Sequence, residues 1–160
     1  MRLGKQVFHY YLCVGYVREA EKVPKVLIVE DDFMIADWLE EVLVAAGYEV
    51  CGIAGTVAAA IALGKQHRPD LGVIDVRLAQ GGRGTEVAAA LRRHGGFGVL
   101  YATGNTVYPV LSSAQGEGCI VKPYSGETLI AALHIVAEVA AGHPVSGALP
   151  RDFRLLGAAA

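Results

Sequence analysis

Five short apolar runs recur along the chain, at 26–29, 50–54, 71–74, 99–102 and 119–121, and a stretch of helical spacing follows each of them. The runs are continuous rather than alternating, which suits strands covered on both faces. The pattern therefore predicts an α/β fold, a parallel sheet sandwiched between helices. Helix ends are legible too. Ile35, Ala36, Leu39, Leu43 and Ala46 form an apolar stripe, and Gly47 is placed to stop that helix in a left-handed cap. Thr56 can cap an Ala-rich second helix that runs toward Lys65, with Pro69 beyond its end. Gly84 and Thr85 open a third, whose basic last turn, Arg92 to His94, suits the helix dipole. A fourth segment between Thr106 and Gln115 carries Pro109 and "SSAQGEG" and is weak. Ser125 can cap the last helix, which ends at Gly142 before Pro144. On the first helix Ile35, Trp38 and Val42 make a second ridge, rotated by about 100° from Ala36, Leu39 and Leu43. That ridge is either more core or a docking surface for a partner helix.

Composition narrows the class. At 160 residues one domain is expected, large enough for a core without metal or disulfide staples. A net charge of −2, with both signs scattered, offers no basic face for a nucleic-acid backbone. Cys13, Cys51 and Cys119 are odd in number and widely spaced, as expected of reduced thiols in a cytoplasmic protein. The apolar run from Val7 to Val17 is too short to span a bilayer and lacks a signal-cleavage pattern, so no membrane partner is expected. Residues 1–24 are expected to be an extension, 25–142 the folded domain and 143–160 a short tail.

The chemistry sits where the runs end. In an open parallel sheet, ligands gather outside the carboxyl ends of the strands. The first run ends at Glu30, Asp31 and Asp32, the third at Asp75, the fourth at Thr103, and the fifth at Lys122 and Pro123. Carboxylates from different strands repel unless a hard cation joins them, and Mg²⁺ takes such oxygen ligands. One carboxylate can then attack phosphorus as a nucleophile, and Asp75, central and alone, suits that role. Asp32 reads as a solvated acid at a helix start. "GGRG" lacks the spacing of a dinucleotide loop and reads as loop flexibility. The five histidines show no close metal-ligand pair.

"VLIVEDD", "VIDVRL", "YATG" and "VKP", in this order between Lys25 and Ala141, resemble the receiver domain of two-component response regulators. "LYATGN" is further similar to a single-domain subgroup with a Phe-Ala-Thr-Gly motif. The resemblance implies a five-stranded parallel sheet in the flavodoxin-like order 2-1-3-4-5. It makes Asp75 the phosphorylated residue, with Thr103 bonding the phosphoryl group and Lys122 pairing with it. Asp31 becomes a direct Mg²⁺ ligand beside Asp75, Glu30 acts through metal-bound water, and the backbone carbonyl of Arg77 completes the set. Pro123 would follow a cis peptide. The partner implied is a sensor histidine kinase or phosphotransfer protein, and the function is phosphoacceptor signalling rather than enzymatic turnover. Phosphoryl transfer and its hydrolysis would be self-catalysed.

Three departures stand out. The loop from Asp75 to Gly84 is about one residue longer than usual in the family and lacks its common proline. Cys119 stands where many members carry a switching aromatic, leaving either Tyr101 as a substitute or no residue in that role. Arg77 places a cation two residues after the acceptor. Two other functions compete: a receiver-like binding adapter that needs no phosphate, and a phosphatase that forms an aspartyl phosphate. The phosphatase normally wants an acid two residues after its nucleophile, and Arg77 holds that position.

Overall fold

A computed structural model describes residues 22–104, 111–112 and 115–157. Six strands, β1 (Lys25–Val29), β2 (Glu49–Ala54), β3 (Leu71–Asp75), β4 (Gly98–Thr103), β5 (Gly118–Val121) and β6 (Phe153–Leu155), form one sheet in the order β2-β1-β3-β4-β5-β6. The first five run parallel in the expected order.

Period-two alternation within each strand builds two cores. Val26, Ile28, Val73, Leu100, Ala102 and Ile120 point to one face, under α1 (Phe33–Ala45) and α4 (Gly126–Ala140). Leu27, Val29, Ile74, Val99, Tyr101 and Cys119 point to the other, under α2 (Val57–His67) and α3 (Gly84–Leu91). Full burial of each large side chain here contributes ~1.5–3 kcal/mol, which is why both faces are covered. The caps fall as the sequence suggests: Thr56 Oγ1 accepts from Ala59 N, Ser125 Oγ accepts from Thr128 N, and Gly47 takes φ +91°. The basic residues expected in the last turn of α3 lie beyond it, because Leu91 ends the helix and Arg92–His94 form a separate 3₁₀ turn. Most of the segment from Thr106 to Gln115 lies outside the described residues, as does Cys13.

The tail is more than a tail. After α4 the chain returns to pair β6 antiparallel with β5, Cys119 opposite Arg154 and Ile120 opposite Phe153. Phe153 enters the α1/α4 core and Leu156 the opposite one, so both edges of β5 are covered. The ridge of Ile35, Trp38 and Val42 is half-buried and flanks the core, with the Trp38 ring 5.9 Å from that of Tyr124. The bare apolar side chains of α1 are instead Phe33 and Met34, each 80% exposed at its first turn, and Val44, 56% exposed in its last. No helix among the described residues is long and apolar enough to cross a membrane.

Candidate phosphoacceptor site

Parallel strands end on one side, so residues following β1, β3, β4 and β5 meet at one edge. There Glu30, Asp31 and Asp75 each offer a carboxylate oxygen, all within 4.8 Å of one another. Lys122 reaches in from the end of β5. Its Nζ donates to Asp75 Oδ2 at 2.6 Å and to Glu30 Oε2 at 2.8 Å. The Lys122–Pro123 peptide is cis. The other oxygen of Asp75, Oδ1, accepts from Arg77 N at 3.0 Å, while the Arg77 side chain is exposed. The backbone of Arg77 thus lies at the site.

Charge does not balance here. Three carboxylates face one ammonium, which leaves two negative charges over. Burial pushes the Glu30 carboxyl above its usual range, and the hydrogen bond from Lys122 only partly opposes this. For Lys122 burial works toward the neutral amine, but its hydrogen bonds to Asp75 and Glu30 prevail and hold its pKa above the usual value. The ammonium therefore stays charged while Glu30 is left under-compensated. A hard divalent cation supplies both what the oxygen donors suit and the charge they lack.

Asp32 stands apart from the cluster. Its Oδ1 accepts from Met34 N and Ile35 N, capping α1, and its own N–H donates to Glu30 Oε1. Thr103 is buried at the end of β4, its hydroxyl donating to Gly104 O at 2.9 Å and its carbonyl accepting from Lys122 N. The hydroxyl thus sits at the right edge but is turned to its own backbone. Tyr101, two residues earlier, is fully buried and donates its hydroxyl to Gln115 O at 2.9 Å. Cys119 lies opposite it on β5.

Sequence reasoning misread "GGRG". A Cβ on Gly84 would stand 2.1 Å from Asp75 O, and one on Gly82 would stand 2.7 Å from Val57 Cγ2. These glycines permit close approach rather than flexibility, and Gly84 locks the start of α3 against Asp75. The only signal was a glycine at a helix start, which sequence alone cannot separate from a loop. Tyr124 was also missed: its hydroxyl is buried without a partner among the described residues, and burial pushes its phenol up to about 12.

An open parallel sheet in this order, carrying an acid cluster and a lysine at its carboxyl edge, defines a receiver-type fold. Residues 26–134 match the response regulator receiver domain. The chain belongs to that family and is a receiver domain of a signalling protein. It is 31% identical over 117 residues to the transcriptional regulatory protein PdtaR of Mycobacterium tuberculosis, covering 71% of this chain and 57% of that one. It is 32% identical over 110 residues to the DNA-binding response regulator MtrA of Mycolicibacterium paratuberculosis, covering 67% and 48%. The chain thus spans about half the length of the curated relatives it matches. Among solved structures it resembles the signal receiver domain of a modulated diguanylate cyclase from Desulfovibrio desulfuricans G20, with TM-score 0.68 and 25% identity over 75% of this chain and 98% of that one.

Proposed function

We propose that this receiver takes a phosphoryl group from a histidine kinase or phosphotransfer protein onto Asp75, and that it acts in the cytoplasm as a single-domain response regulator of the Phe-Ala-Thr-Gly-like subgroup. The observation that carries the reading is the pair of uncompensated negative charges around Asp75. Mg²⁺ held by Glu30, Asp31, Asp75 and the Arg77 carbonyl would neutralise charge on the phosphoryl oxygens. An Asp75 carboxylate oxygen attacks phosphorus, the new O–P bond forms as the P–N bond of phosphohistidine breaks, and the imidazole nitrogen leaves with the electron pair. Lys122, already on Asp75, pairs with the incoming oxygens. Thr103 gives up Gly104 O and donates to the phosphoryl group, which biases the Tyr101–Tyr124 region toward a second arrangement. Attack by water later releases inorganic phosphate. Phe33 and Met34, exposed beside the pocket, provide apolar footing for the kinase.

Incubation with Mg²⁺ and acetyl phosphate tests this directly. The wild type is expected to gain one base-labile phosphoryl group by mass, and Asp75→Asn none. Equal labelling of Asp75→Asn, or no labelling of the wild type, overturns the assignment.

A further inference from the structure

Beyond Asp75 the chain folds back on itself. Leu78 N donates to Gly82 O and Gly84 N to Val76 O, and between these bonds Arg77 and Arg83 form a single antiparallel bridge. The two hydrogen bonds flank the pair instead of joining it. This is the non-hydrogen-bonded kind of pair, with Cα atoms about 4.5 Å apart and both side chains on one face. Both arginines are exposed, and neither guanidinium has an ion-pair partner among the described residues.

Like charges directly opposite one another are destabilising. Arg83 adds a second cost as the N-cap of α3, where an acceptor side chain and negative charge are favoured. Glu86 brings a negative charge to the first turn, but its Oε1 accepts from the backbone N of Arg83. Both residues are held at the acceptor: Arg77 N bonds Asp75 Oδ1, and Gly84, next to Arg83, lies against Asp75 O. Two guanidiniums without an ion-pair partner among the described residues are therefore carried on backbone that touches Asp75, next to a site whose excess negative charge repels an anionic donor.

We propose that Arg77 and Arg83 form an oxyanion-binding pair that takes the phosphoryl oxygens of the incoming donor and offsets this repulsion; the proposal rests on Asp75 being the acceptor. Guanidinium forks match phosphate oxygens two at a time, which a single lysine does not. Local positive charge also raises the encounter rate of an anionic group.

The test uses the full chain, Arg83→Ala and Arg83→Lys. At low salt the labelling rate of Arg83→Ala is expected to fall about five-fold with acetyl phosphate and with phosphoramidate alike, and the difference is expected to fade at high salt. Arg83→Lys should recover only part of it. Without Mg²⁺, inorganic phosphate should saturably shift the arginine Nε–H resonances of the wild type and bind Arg83→Ala more weakly. The melting temperature of Arg83→Ala should equal or exceed that of the wild type at low salt, since a repulsion is removed. Unchanged labelling, a loss confined to one donor, or phosphate binding indifferent to Arg83 overturns the pair. An unlabelled wild type instead overturns the acceptor assignment, and the phosphate titration still decides the pair.

Discussion

Strand β5 lies between Glu117 at the amino ends of the sheet and Lys122 at its carboxyl ends, and a buried carboxylate meets a cation at each. At the amino end the account closes. Glu117 Oε1 accepts from Arg92 Nη1 and Oε2 from Val99 N, both at 2.6 Å, so one anion has one cation and a backbone donor. At the carboxyl end Lys122 is shared between Glu30 and Asp75, with Asp31 close by, and two negative charges remain. Two buried acids of similar exposure, Glu30 at 4% and Glu117 at 9%, thus differ in role. The compensated one ties β4, the 3₁₀ turn after α3 and the tail together, the tail through Leu156 N donating to Glu117 O. The under-compensated one lies where, on the proposed function, a ligand completes the charge.

The largest effect should come from breaking the closed end. Glu117→Ala strands the Arg92 guanidinium and the Val99 N–H, and should cost about 2–3 kcal/mol of stability in urea unfolding. Labelling of Asp75 should persist in that variant under folding conditions. Between the ends, burial pushes the Cys119 thiol from its usual 9.0 up to about 11. A thiol whose pKa rises on folding adds stability that is fully present below the unfolded value and lost as pH climbs toward the folded one. Wild type should therefore weaken between pH 9 and about 11 by of order 1 kcal/mol more than Cys119→Ala does, which parallel melts across that range would show. The smallest effect should come from the open end without metal. Asp31→Asn relieves carboxylate repulsion and should stabilise the metal-free protein by up to ~1 kcal/mol, the opposite sign to Glu117→Ala.

Much of this contrast was legible in advance and part was not. The five parallel strands announced themselves through continuous apolar runs, and the site acids through their place directly after those runs, because both patterns are local. Strand β6 did not, since three residues, "FRL", between Pro150 and Gly157 carry no period and gain their structure only from the edge of β5. Glu117 drew no reading in "AQGEGC", because its two partners come from the 3₁₀ turn after α3 and from β4. Arg83 was passed over for the same reason: its neighbour Arg77 becomes one only when the loop closes. The α1 ridge was left between two readings, and packing against Tyr124 places it at the core's flank.

Calorimetric titration of Mg²⁺ into wild type, Asp31→Asn and Glu117→Ala tests most directly the claim that the charge left over at one end of the sheet is a ligand's place. Wild type and Glu117→Ala should each bind one ion with the same affinity, and Asp31→Asn should bind at least about ten-fold more weakly. No saturable binding in the wild type, or equal weakening by the two substitutions, would contradict it.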